Sequence, residues 1–167
     1  MKKILETNRL YLRELEVSDA QDFFNLNLDP EVIKFTGDVP FNHITEAQSF
    51  LQNYNQYELF GYGRWAVIRK QDNKFLGWSG LKYSSDVEEV DLGFRFFKEY
   101  WNQGYATEAA IGCLNFGFQN LKLEKIVGRA MEANTASVKV LEKIGMQFIG
   151  KFNFLKHEGV LYQKTNP

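Results

Sequence analysis

Apolar and polar residues alternate with a period of two through the middle of the chain, as they do in strands with one buried face. One strand is especially clear: Val90, Leu92, Phe94 and Phe96 form its apolar face, and Asp91, Gly93 and Arg95 its polar face. The same pattern predicts about seven strands in all. They cover residues 10–15, 64–69, 75–83, 90–96, 124–131, 147–154 and 160–164.

Other apolar residues recur at helical spacing. This spacing predicts one helix from about Ala106 to Asn120 and another from Asn134 to Lys143. Gly145 is expected to end the second helix in a left-handed cap. Nearer the N-terminus, Ser18-x-x-Gln21 and Thr45-x-x-Gln48 have the spacing of capping boxes, which predicts that helices begin there.

The order of these elements predicts the fold class. A strand and N-terminal helices are followed by a three-strand meander, and then by a helix, a strand, a helix and two strands. A meander followed by β-α-β units predicts an α+β (mixed α/β) fold, with one mixed sheet of about seven strands and helices on both faces. Because no Pro/Gly-rich break divides the chain, we expect a single domain over residues 1–167.

Composition narrows the class of protein. The 167 residues are 44% hydrophobic and 16% aromatic, as in a well-packed globular domain. The formal net charge is −1, with acids and bases interspersed, which provides neither the basic stripe of a nucleic-acid-binding protein nor a polybasic membrane patch. A single cysteine, Cys113, and an N-terminal run without an apolar signal core indicate the cytoplasm. His43 and His157 lack metal-ligand spacing, so no metal is expected.

A turn of small residues before an Ala-rich helix is the strongest candidate for chemistry. It lies in the segment Trp101-Asn102-Gln103-Gly104-Tyr105-Ala106-Thr107-Glu108-Ala109-Ala110. Gly104 permits left-handed dihedral angles, and Ala106 places no bulk over the backbone amides. Bare N–H groups at the positive end of a helix dipole bind phosphate. The segment therefore predicts a phosphate site, although many glycine-initiated helices bind no ligand.

Three segments resemble the GNAT superfamily of acetyl-CoA-dependent N-acetyltransferases. They are the opening Thr7-Asn8-Arg9-Leu10-Tyr11-Leu12-Arg13, the turn segment from Tyr100 to Ala109, and the helix segment from Asn134 to Met146. The first two are similar to the branch of the Rim-type ribosomal-protein N-terminal acetyltransferases. The resemblance covers nearly the whole chain. It implies a GNAT-like fold and direct transfer of acetyl from acetyl-CoA to a primary amine in a ternary complex.

The resemblance also implies which residues hold coenzyme A (CoA). The turn would bind the pyrophosphate through its amides, the strand around Gly93 would pair with the amides of pantetheine, and Asn134 would bond the pantetheine. The residues so assigned are Leu92, Gly93, Phe94, Asn102, Gln103, Gly104, Tyr105, Ala106, Thr107 and Asn134. Asn134 is also a common helix N-cap, and both roles are compatible. Trp101 replaces the family's usual Arg or Gln, which removes a side-chain contact but no backbone donor.

Direct attack of an amine on a thioester calls for two catalytic roles. An alkyl amine is mostly protonated at neutral pH, so a base assists it. Asp91 is the first candidate and Glu89 the second, and either is otherwise a solvent-facing carboxylate. Leu141 stands where many family members have a tyrosine that protonates the departing thiolate. Ser137 resembles the serine that replaces it in the Rim-type branch, and is otherwise an ordinary residue of the helix surface.

The identity of the amine is left open by the sequence, which fits a protein or peptide N-terminus and a small amine equally well. The expected partners are acetyl-CoA and that amine, without nucleic acid or membrane, and the chain is expected to be a monomer or a homodimer. One alternative is a catalytically weak sensor of CoA or acyl-CoA with the same fold. Another is an interaction module whose Gly104 turn binds no phosphate.

Overall fold

The computed structural model describes residues 2–154 and 156–167; Met1 and Leu155, which the predicted domain includes, lie outside the described residues. The strands in this part of the chain are β1 (Lys3–Glu6), β2 (Leu10–Glu14), β3 (Arg64–Arg69), β4 (Lys74–Ser84), β5 (Glu89–Phe96), β6 (Lys125–Met131), β7 (Gln147–Phe154) and β8 (His157–Thr165). They form one eight-stranded sheet in the order β1-β2-β3-β4-β5-β6-β8-β7. Strands β5 and β6 are parallel, and the other neighbours are antiparallel.

Helices cover both faces of the sheet. They are α1 (Ala20–Leu26), α2 (Pro30–Ile33), α3 (Ile44–Gln52), α4 (Gln56–Phe60), α5 (Tyr105–Gln119) and α6 (Thr135–Lys143). Helices α5 and α6 pack on one face around a core that contains Leu92, Ala110 and Leu141. Helices α1 to α3 pack around a second core, which contains Phe23 and Leu51. The predicted mixed fold with helices on both faces is therefore confirmed. No helix of the described chain is both long and apolar enough to cross a membrane.

The edge strand β1 is not predicted by the sequence pattern, so the described sheet has eight strands where about seven were expected. Its four residues are too few for a periodic pattern to emerge, and Ile4 and Leu5 are only half buried. The turn that follows β1 brings Thr7 and Arg9 against the first turn of α5. The unpredicted strand therefore positions part of the candidate site.

Helices begin near both predicted places, but neither predicted capping box forms. Near Ser18 the reciprocal capping bonds join Glu16 and Asp19, and Asp19 is also bound by Arg13 at 2.7 Å. A carboxylate accepts backbone N–H bonds more strongly than a hydroxyl, which explains why the acidic pair prevails there. Helix α3 begins one residue before Thr45, and its N-cap residue, His43, makes no side-chain capping bond.

Strands β5 and β6 separate toward their carboxyl ends. In the described chain their paired residues are only Asp91 with Val127 and Leu92 with Gly128. Beyond these pairs, β5 stays bonded to β4 as far as Phe96, and β6 stays bonded to β8 as far as Met131. A gap therefore opens between the two parallel strands, and α5 and α6 follow the strands that form its walls. The sequence pattern does not indicate this gap.

Candidate active site

The turn before α5 is exposed and has the backbone conformation that its glycine predicts. Gly104 has a φ of +82° and Asn102 a φ of +61°, so both residues are left-handed. Asn102, Gln103 and Gly104 are exposed, whereas Tyr105 begins the buried side of α5. A Cβ atom on Gly104 would have only Arg9 Nη2 nearby, at 3.3 Å. Glycine is therefore required here mainly by its dihedral angle and not by crowding.

The backbone amides of residues 102–107 have no hydrogen-bond partner within residues 2–154 and 156–167. The first main-chain bond of α5 runs from the Glu108 N–H to the Gly104 carbonyl, at 3.0 Å. Unpaired N–H groups are normal in the first turn of a helix, where they add to the positive end of the dipole. Because these groups lie at an exposed turn, they are available to an anion.

Side chains hold the turn through carbonyl groups and so leave its amides free. The Trp101 indole N–H donates to the Phe96 carbonyl at 2.9 Å, and the Gln103 side-chain amide donates to the Glu99 carbonyl at 2.8 Å. Arg9 Nη1 donates to the Gln103 carbonyl at 3.0 Å. Trp101 thus fixes the turn to the end of β5, a role that the sequence does not reveal.

A carboxylate in the first turn of α5 binds the β1–β2 connection. Glu108 accepts hydrogen bonds from the Thr7 hydroxyl at 2.6 Å and from the Arg9 backbone N–H and Nε, both at 2.7 Å. Arg9 also stacks on the Tyr105 ring at 4.3 Å. Burial opposes ionisation of Glu108, but the hydrogen bonds from Thr7 and Arg9 and the Arg9 charge outweigh it and lower the pKa of Glu108 below its ordinary value of 4.5. The network fixes the orientation of the turn relative to the sheet.

The predicted pantetheine strand forms one wall of the gap. Leu92 is buried and is the last β5 residue paired with β6, so Gly93 and Phe94 have no β6 partner in the described chain. The Ser79 hydroxyl donates to the Gly93 carbonyl at 3.2 Å. On the face opposite α5, a Cβ atom on Gly93 would lie 2.8 Å from the Arg64 guanidinium carbon. Glycine therefore admits the Arg64 side chain on that face.

Asp91, the predicted base, is bound by two arginines. Its Oδ1 is 2.8 Å from Arg64 Nη2, and its Oδ2 is 3.6 Å from Arg129 Nη1. Arg129 also pairs with Glu89, the second candidate base. The short contact occupies Oδ1 and leaves Oδ2 the more available oxygen. Arg64 is 27 residues from Asp91 in the chain, so only the register of the sheet brings them together, and no sequence signal identifies either arginine.

Arg64 is fixed at its main chain and at its guanidinium group. Its backbone N–H donates to the Tyr54 hydroxyl at 2.8 Å, and its carbonyl accepts from the Tyr57 hydroxyl. Its Nη1 donates to the Gly80 and Asp91 carbonyls at 2.8 and 3.0 Å. Arg64 therefore holds Asp91 in a defined place next to the gap.

Arg95, on β5, is the third arginine on this face of the sheet. Arg64 and Arg95 both lie over the Trp78 ring, at 5.1 and 5.3 Å from its centroid. Arg95 donates to the Asn27 side chain and pairs with Asp38 at 2.7 Å. We call the side chains of Arg64, Trp78, Asp91, Arg95 and Arg129 the arginine face. Trp78 lies half buried within it.

Asn134 and Ser137 lie at the start of α6, which follows the other wall of the gap. Asn134 Oδ1 accepts from the Ser137 N–H at 3.3 Å, so Asn134 caps the helix. Its side-chain NH₂ group and the Ser137 hydroxyl have no hydrogen-bond partner among the described residues. Leu141 is 2% exposed and packs over Gly128.

The cysteine is part of the core. Cys113 is fully buried, 3.5 Å from the Ser79 hydroxyl, and burial raises the pKa of its thiol to about 12. A thiol that stays protonated at neutral pH is a poor nucleophile.

A family model described as an acetyltransferase (GNAT) domain matches residues 9–147. The chain belongs to the GNAT acetyltransferase family. The predicted family and the prediction of an acetyltransferase are thereby confirmed. GNAT enzymes use acetyl-CoA as the acetyl donor, which agrees with the predicted donor substrate at the level of the family.

Individual relatives support the same family and fold. An uncharacterized N-acetyltransferase p20 from Bacillus licheniformis is 30% identical over 145 residues, which are 86% of this chain and 82% of that protein. A GNAT-family acetyltransferase from Bacillus anthracis has a crystal structure with a TM-score of 0.85 and 26% identity, and 99% of each chain is covered. The RimL ribosomal L7/L12 α-N-protein acetyltransferase in complex with coenzyme A shares the fold, with a TM-score of 0.82 and 15% identity over 98% of each chain.

In this GNAT chain, the predicted site residues fall into two groups around the gap. The Gly104 turn, Leu92, Gly93 and Phe94 lie on or after β5, and Asn134 and Ser137 lie after β6. The parallel pairing of β5 and β6 places the carboxyl ends of these strands at the same edge of the sheet. Asp91 lies at the narrow end of the gap, where the two strands still pair.

Proposed function

We propose that residues 1–167 form a single N-acetyltransferase domain that moves acetyl from acetyl-CoA to a primary amine by direct attack in a ternary complex. The observation that carries this proposal is the set of unpartnered amides at residues 102–107, beside the gap between β5 and β6. A diphosphate needs several convergent donors, and pantetheine needs an unpaired strand edge. The two features occur together at the carboxyl end of β5.

CoA would bind mainly to the main chain. The amides of Asn102 to Thr107 would hold the pyrophosphate, with the helix dipole adding favourable charge. The β5 edge from Leu92 to Phe94 would pair with the pantetheine amides, and the free NH₂ group of Asn134 would donate to the same arm. A β5 N–H aimed at the thioester oxygen would stabilise the developing oxyanion by about 3 kcal/mol.

Asp91 and Ser137 would handle the protons. The amine nitrogen attacks the thioester carbonyl, the C–S bond breaks, and the amine loses a proton to Asp91 directly or through water. Oδ2 would accept this proton, because Arg64 engages Oδ1 more closely than Arg129 engages Oδ2. The departing thiolate takes a proton from water, or from Ser137, which takes one back from water. Because a thiol has a pKa of about 8.5, this second transfer needs little assistance.

A catalytically weak CoA sensor is the second candidate, and two observations favour it. Asp91 is bound by two arginines, and Leu141 offers no proton where many family members have a tyrosine. The sensor and the enzyme both bind CoA, and they differ only in turnover. A protein that is stabilised thermally by CoA yet acetylates no amine would support the sensor.

An acceptor screen tests the enzyme proposal. The full chain is incubated with acetyl-CoA and a panel of small amines, amino acids and peptides. Mass spectrometry then seeks the gain of one acetyl group, and free thiol release measures donor consumption. We expect acetylation of at least one class of amine together with thermal stabilisation by CoA. Absence of both would contradict the phosphate site and favour the interaction module.

A further inference from the structure

Arg95 is a nearly buried cation whose charge partner comes from an exposed loop. The Arg95 side chain is 12% exposed, stacks on Trp78 at 5.3 Å and donates to the Asn27 side chain. These contacts fix the plane of the guanidinium group. Its remaining contact is the ion pair with Asp38, at 2.7 Å.

Asp38 is much less confined than Arg95. Its side chain is 57% exposed and lies on the connection between α2 and α3, which contains no helix or strand over residues 34–43. The neighbouring Val39 is 84% exposed. Asp38 has no other side-chain partner among the described residues. By contrast, Arg64 is paired with a carboxylate of the sheet itself, Asp91, which is only 19% exposed.

Loss of this ion pair would therefore be much more unfavourable for Arg95 than for Asp38. A nearly buried guanidinium group needs an anion, since an unpaired buried charge is strongly unfavourable. A half-exposed aspartate on a loop gains only a modest free energy from the pair. Another carboxylate entering from the solvent side can replace Asp38 without leaving Arg95 unpaired.

Arg95 lies close to the proposed reaction centre. It is two residues after Gly93 on the same face of β5, which places the two Cα atoms about 7 Å apart. Asp91, the proposed base, is on that face two residues before Gly93. Asp91 and Arg95 are four residues apart on β5, so their Cα atoms are about 13 Å apart. An amine beside Gly93, which would pass its proton to Asp91 through water, and an anionic group near Arg95 would therefore belong to one small molecule or to one short peptide segment.

We propose that Arg95 binds a carboxylate of the acceptor and that Asp38 occupies this place in the free protein. The inference rests on the proposed acetyl transfer and specifies its substrate class. The acceptor is an amine that carries its own carboxylate within a few bonds, as a free amino acid does, or as a peptide N-terminus followed by an acidic residue does. Arg95 reads the carboxylate through charge-assisted hydrogen bonds, while the amine lies beside the gap.

Matched acceptor pairs test the inference in the wild-type chain. One arm compares alanine with alaninamide, and the other compares peptides that have aspartate or asparagine at their second position. We expect kcat/KM to be about tenfold higher for the carboxylate member of at least one pair. The arm that shows the preference identifies the source of the carboxylate. Equal rates within both pairs, in a chain that does acetylate amines, would overturn the inference and leave the proposed function intact.

Three variants test whether the preference depends on Arg95. Arg95→Gln should raise KM for the carboxylate acceptor and leave the amide acceptor nearly unchanged, and Arg95→Lys should restore part of the difference. Asp38→Asn should increase kcat/KM for the carboxylate acceptor by up to about fivefold, because it removes a competitor for Arg95. Asp86→Asn, which neutralises an exposed acid in the β4–β5 turn, is the matched control for that change.

The remaining outcomes are also decisive. Equal losses for both members of a pair in Arg95→Gln would assign Arg95 a purely structural role and overturn the inference. If Arg95→Gln does not fold, an unchanged preference in Asp38→Asn would do the same. If the wild-type chain acetylates no amine at all, the proposed function fails and the inference fails with it.

Discussion

The two sides of the β5–β6 gap are built from different chemical groups. On the side proposed to bind CoA, which we call the CoA side, the donors are main-chain amides of residues 102–107, and no described residue uses them. On the side proposed to bind the amine, which we call the acceptor side, the polar groups are side chains, and the arginines of the arginine face are already paired with carboxylates. The donors of the first group therefore have no partner among the described residues, whereas the arginines of the second group bind the protein's own acids.

We expect this difference to separate two properties of the protein, its affinity for CoA and its selectivity for the acceptor. Main-chain donors at a helix N-terminus bind any diphosphate of suitable shape, so they suit a donor substrate that is the same for the whole family. Paired side chains must exchange partners before they bind a ligand, and that exchange discriminates between ligands. We therefore expect changes in the turn to affect CoA affinity alone, and changes in the arginine face to affect turnover and acceptor choice.

Asp91→Asn is expected to give the largest effect, because it removes the proposed general base on the acceptor side. The amide keeps the size of the carboxylate and still accepts a hydrogen bond from Arg64, but it cannot take a proton from the amine. We expect kcat to fall by about 100-fold or more, as for the loss of a general base, with CoA affinity unchanged. Thiol release measures kcat, and calorimetry measures CoA binding. A fall below threefold would leave Asp91 as a partner of Arg64 only.

Gly104→Val is expected to give the next largest effect, because it disrupts the amides proposed to bind CoA. A β-branched residue at a φ of +82° is strained and places bulk beside the amides. Loss of even one charge-assisted bond to phosphate would weaken CoA binding by about tenfold or more. Gly61→Val is the matched control, because Gly61 has a φ of +80° and no neighbour within 4 Å of its Cβ position. Equal CoA affinity in both variants would contradict the phosphate site.

The difference between main-chain and side-chain groups also explains which parts of the candidate site the sequence predicts. The CoA side depends on local features: Gly104 as a left-handed residue, the helix that follows it and Asn134 as the N-cap of α6 are all predicted correctly. The arginine face depends on sheet register, which brings Arg64, Asp91 and Arg129 together from three strands. No spacing along the chain encodes that register.

Other unpredicted features have the same origin. The gap between β5 and β6 results from pairing that stops after Leu92 and Gly128, although both strands continue. The Thr7 and Arg9 contacts with Glu108 require β1, which is too short to show a periodic pattern. Local conformation was therefore predicted better than contacts between distant segments.

Ser137→Ala tests the same comparison from the other side of the gap, because Ser137 lies in α6, the helix that follows β6. We expect kcat to fall by roughly three- to tenfold, because a thiolate with a pKa near 8.5 leaves readily without an acid. CoA affinity should stay unchanged. Thr135→Ala, at the exposed first position of α6, is the control. A fall as large as that of Asp91→Asn would make Ser137 an essential acid and contradict this ranking.

Glu108→Gln is expected to have the smallest effect on activity, because Glu108 supports the turn and does not itself contact the proposed CoA site. Glu108 has a lowered pKa, so its ionised form stabilises the folded state. That contribution is fully present above the unfolded-state pKa, near 4.5, and is lost as the pH falls through the lower folded-state pKa. At pH 7 the variant should lose about 1 to 2 kcal/mol in free energy of unfolding, measured by urea denaturation.

The pH dependence distinguishes this role from a general loss of charge. The stability difference between wild type and Glu108→Gln should shrink progressively below pH 4.5, as the wild-type carboxylate takes up a proton and loses its ionic bonds to Arg9. Glu124→Gln removes an exposed carboxylate with no side-chain hydrogen bond in the described chain, and should change stability little at either pH. A difference for Glu108→Gln that stays constant down to pH 3 would mean that the Thr7 and Arg9 bonds do not depend on the charge. In that case packing and neutral hydrogen bonds would hold the turn in place. Its support would then depend on uncharged groups, as the CoA side does, and not on ion pairs, as the arginine face does.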